Sequence, residues 1–500
     1  MTAPTRSRPG QRPSRPAGST RTADTVTRSV AAPEGGWSVQ SVGEWLRSPV
    51  APYYLVLVSA SVLTAFGLYM VLSASSVGSY VDSGSSYTVF LSQLVYAVGG
   101  VALAVVGSRL PLAWWKKLAW PAVFLAVALQ LLVFSPLGLD EFQGNRNWIQ
   151  IGNRSLQPSE FGKVALVIFG AAVLATKRRV IHKPIHALVP LVLPFGVVLV
   201  GLVLQGNDLG TGMIMLGILV GLLWAAGLPA KWFVGMGAIA VAGVAFLAAD
   251  SANRMARIQT WIGGICDNPH SAPGCFQKIH AEYALADGGW WGLGPGGSRE
   301  KWELLPEPHN DFILAIIGEE FGLPGTISVL VLFAVLAYAC YRIISQSEDM
   351  FTRLAAAGLM VWFLGQAMIN IGSVIGMFPI IGVPLPLVSS GGSALVAALI
   401  GIGLLLALAR NLPGAQERMG GRTSTLRHTL SAVPDGRGPA PARRPAPRRS
   451  GATAGSRPAA ASTREAPPAK SAARKSAPKK AAGRVPATRP GSRTRPRGSR

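Results

Sequence analysis

Charge is what this sequence has least of. Charged residues make up 14% of the 500-residue chain, roughly half of the ~25% typical of soluble proteins. That excludes the three or so soluble domains that such a length would otherwise suggest. Hydrophobic residues reach 49%, and mean hydropathy is +0.36 although both ends are strongly polar. The middle must therefore be very apolar. A secretory leader is also missing: Met1–Val50 is rich in Pro, Arg, Ser and Gly, with no apolar core, so the first apolar segment must itself direct insertion. Cysteine is sparse, with three residues. Cys340 lies in an apolar run and reads as a small buried hydrophobe. Cys266 and Cys275 share one hydrophilic loop. Aromatics are almost absent from the two ends, where Pro, Ala, Arg, Ser and Lys dominate. Such segments cannot bury enough apolar surface to offset chain entropy, so 1–50 and 411–500 are expected to be disordered and basic. From Arg410 onward there are 22 Lys and Arg against three acidic residues, nineteen of the net +24. The basic balance belongs to a tail suited to anionic membrane lipids. Without a folded reader, no nucleic-acid role is expected.

What is there is a series of apolar stretches long enough to cross a bilayer, roughly 17–25 residues each. They are Tyr53–Ser75, Tyr87–Val106, Leu118–Leu139, Phe161–Thr176, Ala187–Leu204, Gly212–Leu228, Trp232–Ala249, Phe312–Tyr341, Leu354–Phe378 and Gly391–Ala409. The expected fold is all-α, a polytopic membrane domain of about ten transmembrane helices over 51–410. The eighth stretch carries Gly322-Leu323-Pro324-Gly325 and is expected to bend there. Lys and Arg favour the cytoplasmic side. Arg109, Lys116, Lys117, Lys177, Arg178, Arg179, Lys183, Lys231, Arg342 and Arg353 fall in alternate connections, which puts both termini in the cytoplasm. Two substantial loops then lie outside, 140–160 and 250–311. The second holds Cys266 and Cys275 in an oxidising space, where a structural disulfide between them and two separate thiols are both open.

Polar residues cluster in four patches. The first is Asn145-Arg146-Asn147-Trp148-Ile149-Gln150, followed by Gln157-Pro158-Ser159-Glu160-Phe161-Gly162-Lys163. An Arg and a Trp at the lipid boundary can meet a phosphate or a sugar face, and an interfacial belt with a helix start accounts for them equally. The second runs from Glu303 to Gly322. Within it, Asp311 stands where the outer loop enters the eighth span. A desolvated carboxylate there gains basicity useful for proton abstraction, and an N-cap is the plainer alternative. The third is Phe378–Ser393, with three helix-breaking prolines and a Ser-Ser-Gly-Gly-Ser turn. Such irregular backbone at membrane depth is tolerated only when buried or lining a cavity. The fourth is the hairpin Gln205–Gly212.

Together these patches resemble the SEDS family (shape, elongation, division, sporulation) of bacterial membrane glycosyltransferases. The resemblance covers Tyr53 to Arg410 with the motifs in family order: Arg-x-Trp-Ile, Gln-Pro-Ser-Glu, Gln-Pro-Asp-Leu-Gly-Thr, Leu-Pro-Glu-Ala-His-Thr-Asp-Phe-Ile and Pro-Leu-Pro-x-Ile/Val-Ser-Tyr-Gly-Gly-Ser. The Leu72–Val77 and Gly84–Tyr87 segments and the long basic extensions are similar to actinobacterial division members rather than elongation members. Asp311, Arg146, Trp148, Glu160, Lys163, Lys301 and His309 match. Asn310 stands where the family has Thr, Leu314 where it has Phe, Gly206-Asn207-Asp208 where Pro-Asp is usual, Asn147 at an often basic position, and Ser390 where it has Tyr.

The resemblance implies polymerisation of lipid II into glycan strands at the septum of the bacterial plasma membrane, by inverting transfer with release of undecaprenyl pyrophosphate. Asp311 would be the general base. Arg146, Lys163 and Lys301 would neutralise the pyrophosphate, and Trp148, His309 and Ser389 would complete the substrate contacts. A divalent cation could assist the leaving group, although no ligand cluster demands one. The implied partners are a class B penicillin-binding transpeptidase and other division proteins. Glu160, Glu319 and Glu320 read as structural polar residues, with Gln366 and Asn370 one helical turn apart and able to hydrogen-bond one of the glutamates of the eighth span. Two rivals remain, a lipid II flippase and a non-catalytic division scaffold. No internal repeat is evident, and the polar patches gather on the outer side, which favours chemistry there over transport.

Overall fold

The computed structural model describes residues 39–139, 146–152, 154–179, 188–249, 252–263, 266, 274–416 and 418. The low-complexity ends lie outside the described residues, apart from 39–50, 411–416 and 418. The helices are α1 (Val39–Arg47), α2 (Ala51–Ser83), α3 (Thr88–Arg109), α4 (Leu112–Leu132), α5 (Pro158–Thr176), α6 (Leu191–Gln205), α7 (Leu209–Ala226), α8 (Lys231–Ala249), α9 (Ala252–Gly263), α10 (Cys275–Gly288), α11 (Ile313–Gln346), α12 (Met350–Val374) and α13 (Gly392–Arg410). Nine of them are long and apolar enough to cross a membrane among the described residues, and α6 is a shorter apolar helix. With α6 these are the ten expected stretches. A short hairpin, β1 (Ile149–Ile151) with β2 (Arg154–Leu156), precedes α5.

Apolar sequence becomes helix here because hydrocarbon offers no partner for a backbone N–H or C=O, and a helix satisfies them within one segment. The fifth stretch departs from that ideal. Its first six residues are π-wound, and Leu193 has non-helical dihedrals beside Pro194. Pro190 and Pro194 have no N–H to give to a regular ladder, so this span is short and irregular. The expected fourth stretch, short when started at Phe161, gains a turn by beginning at Pro158, where a proline suits the first helical position. The first stretch runs on to Ser83 and stops at Gly84, left-handed at φ 71°, whose N–H caps the Tyr80 carbonyl.

The helices α5 and α13 form the centre, each with 78% of its apolar window buried, whereas α8 at the periphery has 6%. Close approach between α3 and α13 depends on small residues: a Cβ on Gly403 would lie 2.7 Å from the Ala104 carbonyl oxygen, and one on Gly100 would lie 2.6 Å from Leu399 Cδ1. One end of the bundle is tied by Arg342 to the carbonyls of Leu46, Arg47 and Ser48, by Arg410 to Ser108, and by Lys116 to Asp349. The opposite end gathers all four polar patches.

The bend expected at Gly322–Gly325 has a definite form. Gly322 sits at φ 64°, ψ −155°, and Pro324 follows it inside α11. The kink releases carbonyls of the preceding turn, and the segment after α10 satisfies them. Leu293 N–H donates to Glu319 O at 2.8 Å and Gly294 N–H to Glu320 O at 3.0 Å, while Leu323 N–H donates back to Gly289 O at 3.1 Å. A Cβ on Gly322 would stand 2.5 Å from Gly292 N and 2.7 Å from Trp290 O. The variant Gly322→Ala is therefore expected to lose about 2–4 kcal/mol, from forbidden φ and backbone overlap together. Gly365→Ala, where nothing lies within 4 Å, should be neutral or stabilising by up to about 1 kcal/mol. Thermal unfolding of the two variants in detergent checks the contrast.

Candidate active site

Two aspartates stand at the polar end, and their surroundings differ. Asp208 caps α7, accepting from Thr211 N–H at 2.8 Å, and its other oxygen accepts from Gln157 Nε2 at 3.0 Å. Asp311 precedes α11, but the cap position is Phe312 and no side chain caps that helix. The N-cap reading of Asp311 is thereby excluded. Its backbone carbonyl accepts from Asn370 Nδ2 at 2.8 Å, while its carboxylate Oδ1 is buried without a partner. Gly382, at φ 77°, lets backbone pass beside the other oxygen: a Cβ there would be 3.4 Å from Oδ2. Burial, then the negative charge of Glu307, raise the Asp311 pKa to about 7, with Arg257 opposing and Asp208 adding to the rise. At neutral pH this carboxyl can accept a proton and give it up again.

The loop between α12 and α13 forms the other wall. Ser390 N–H donates to His309 O at 2.9 Å, and Ser389 Oγ donates to Asn310 O at 2.7 Å while accepting from Leu385 N–H at 2.8 Å. Gln93 of α3 clasps the same turn, with Nε2 on Ser389 O and Oε1 on Gly391 N–H, both at 3.3 Å. Along α12, Gln366 Nε2 donates to Pro384 O and Asn370 Nδ2 to Val383 O, each at 2.8 Å. Irregular backbone thus finds its partners in side chains of regular helices. Asn207, Glu307 and Leu387 all take positive φ here, a conformation that costs a non-glycine residue roughly 1–3 kcal/mol. The surrounding bonds hold them in it.

The first and fourth patches meet on the same end. Arg146 N–H and Asn147 Nδ2 both donate to Gly206 O at 2.8 Å, and a Cβ on Gly206 would lie 2.3 Å from Asn147 Oδ1. Arg146 Nε is buried without a partner, and Trp148 is half-buried. Burial lowers the His309 pKa, so its imidazole is neutral near pH 7. Cys266 and Cys275 are joined, with Cα atoms 5.4 Å apart. Among the described residues no group of three or more His, Cys, Asp or Glu side chains is placed to hold a metal ion.

A family model described as a cell cycle protein and named for FtsW, RodA and SpoVE matches residues 53–413. The chain belongs to the FtsW/RodA/SpoVE family. It is 40% identical over 375 residues to a probable peptidoglycan glycosyltransferase FtsW of Mycobacterium tuberculosis, covering 75% of this chain and 70% of that one. The stage V sporulation protein E of Bacillus subtilis is 34% identical over 365 residues, covering 72% and 97%. Among solved structures, the rod shape determining protein RodA of Thermus thermophilus superposes with a TM-score of 0.52 at 25% identity, over 74% of this chain and 99% of that one. A chain from a peptidoglycan synthase complex, described for the coordination of polymerization and crosslinking, has the same fold: TM-score 0.58 at 23% identity, over 71% and 97%.

Several side chains expected at the substrate are buried and already bonded within the protein. Lys163 is 1% exposed. Its ammonium donates to Glu160 Oε1 and Gln366 Oε1, each at 2.8 Å, and lies 5.3 Å from the centre of the Trp362 ring. It bolts α5 to α12 from a buried position. Lys301 is likewise buried, donating to Gly296 O at 2.6 Å and Glu320 Oε1 at 3.3 Å, with Ser73 Oγ on the same carboxylate at 2.6 Å. Glu319 accepts from Ser298 Oγ and Arg299 N–H, both at 2.6 Å. Gln366 and Asn370 therefore do not bond to the glutamates of α11; they face α5 and the α12–α13 loop. Ser389 is used up as a staple between two loops.

Sequence reading missed Arg257, because it treated 250–311 as one hydrophilic loop. The segment Ala252–Gly263 is an amphipathic helix, with Arg254, Arg257 and Trp261 at spacings of three and four that could have signalled it. Removing Lys163 alone should leave Glu160 buried and uncompensated. Lys163→Met is expected to destabilise by about 3–5 kcal/mol, and Glu160→Leu combined with Lys163→Met to recover part of that. Melting temperatures of the single and double variants are the measurement.

Proposed function

We propose that this multi-pass membrane protein is a peptidoglycan glycosyltransferase that polymerises lipid II, with Asp311 as general base. One observation carries the assignment of the base. Of the acidic groups described at or below the polar end, Asp208, Glu160, Glu319 and Glu320 each hold a hydrogen-bond partner through at least one oxygen, and Glu303 and Glu307 have no oxygen buried without one. The Asp311 carboxylate makes no such contact, and burial and charge tune it to about 7. A structural carboxylate would be bonded. A general base needs a free oxygen and a pKa near the working pH.

The chemistry then balances without a further group. The 4-hydroxyl oxygen of one sugar forms a bond to the anomeric carbon of the next, its proton passes to Asp311, and the bond from that carbon to the pyrophosphate oxygen breaks with its electron pair leaving on the pyrophosphate. A single base with no partner carboxylate fits one displacement, which inverts the anomeric centre. Lys and Arg bias assigns the polar end to the outside of the cell, where the nascent strand is needed. A class B penicillin-binding transpeptidase is the partner that would crosslink the product, and the septum is the site of action. A flippase would concentrate free charge at midplane; the intramembrane acids here are already bonded.

Asp311→Asn is expected to abolish polymer formation from lipid II while leaving the melting temperature within a few degrees of the parent. Polymerisation at the parental rate would remove Asp311 from the mechanism. The active form is the deprotonated one, so kcat/KM should fall about tenfold per pH unit below 7 and level off above it. Glu307→Gln removes a negative neighbour, lowers the pKa and moves the inflection to lower pH; a pH–rate profile unmoved by that change would disconnect the inflection from Asp311.

A further inference from the structure

The proposed reaction releases a pyrophosphate, yet the two lysines offered by the sequence to receive it are held inside the protein by Glu160 and Glu320. A cleft open to its surroundings lies nearby, between α9, the start of α10 and the segment that follows α12. Arg257 and Lys278 line it from two different helices, and Trp261 and Phe378 wall it. Arg257 Nη1 donates to Ile380 O at 3.3 Å, one of five donors that a guanidinium carries. Among the described residues, Lys278 makes a long contact to Glu282, 3.9 Å, across a helix face. Such a contact holds a lysine weakly.

Three features give the cleft its chemistry. Two cations from separate elements converge on one space, as a diphosphate needs. Trp261 and Phe378 remain 39% exposed each, large apolar surfaces suited to the first units of a hydrocarbon chain. The cleft also adjoins the base: Ile380 lies two residues from Gly382, the glycine against Asp311 Oδ2, and the charge of Arg257 is felt at Asp311. We propose that this cleft is the pyrophosphate subsite for a lipid-linked sugar, with Arg257 and Lys278 on the phosphates and Trp261 and Phe378 against the start of the isoprenoid. This rests on the glycosyltransferase reading above. The headgroup of an anionic phospholipid presents the same chemistry, and the test separates the two sources.

The full chain in phosphatidylcholine nanodiscs is titrated with farnesyl pyrophosphate by calorimetry. Arg257→Gln with Lys278→Gln should weaken binding by about tenfold or more, since each charge-assisted contact carries a severalfold share. Arg109→Gln, at the opposite end, should bind as the parent does. A parental Kd in the double variant overturns the proposal. So does loss of farnesyl pyrophosphate binding by the parent when phosphatidylglycerol is added to the discs, because the headgroup would then be the occupant. Since Arg257 also holds the Ile380 carbonyl, Lys278→Gln alone must weaken binding too, in a protein of unchanged melting temperature. Asp311→Asn should bind the probe normally and make no polymer. If it makes polymer, the assignment of the base falls while the subsite stands or falls on the titration.

Discussion

In hydrocarbon a polar atom without a partner costs several kcal/mol, and the buried glutamates of this bundle have each been given at least one. Glu160 has Lys163, Glu320 has Ser73 and Lys301, and Glu319 has Ser298 and the N–H of Arg299. The Asp311 carboxylate differs from them in having no hydrogen bond to either oxygen, with Oδ1 buried. The rest of the polar end is arranged so that this difference survives. Asn370 holds the backbone of Asp311 from behind, Gly382 passes close to the side chain without filling its space, and Glu307 and Asp208 keep its proton affinity high.

Broken helices make this arrangement affordable in a membrane. The kink at Gly322 and the proline-rich loop before α13 both expose backbone groups where water is scarce. Each break is answered by a specific donor or acceptor: the Leu293 and Gly294 N–H groups at the kink, and Gln93, Gln366 and Asn370 at the loop. Positive φ at Glu307 and Leu387 shows that the loops on both sides of Asp311 are held against their intrinsic preference. The carboxylate is therefore fixed by backbone geometry and not by its own bonds, which leaves its oxygens available for a substrate.

The division of labour among the cations follows from the same scarcity. A buried lysine beside a buried glutamate forms a closed pair whose removal on one side is far costlier than its presence is beneficial. Lys163 and Lys301 are in that position. Arg257 and Lys278 sit on α9 and α10, outside the spans, where desolvation is partial and a charge can serve an incoming anion.

The sequence by itself determined that this is a multi-pass helical membrane protein of the FtsW/RodA/SpoVE family, because hydropathy and segment length are local properties and the motifs are contiguous. It also singled out Asp311 and the bend at Gly322, and left open the pairing of Cys266 with Cys275 that the structure shows. It did not tell a cap from a base at Asp311, since capping depends on where the side chain points relative to Thr211-like N–H groups of the next turn. Nor did it show that Lys163 and Lys301 are held by Gln366 and Glu320, because these lie 203 and 19 residues away in the chain. Helix periodicity inside the 250–311 loop was legible and went unread, which hid Arg257. Only the tertiary structure decided which polar groups pair with one another. Pairing is a matter of distance in space, and in a low-dielectric bundle that distance decides whether a charge is structural or free to act.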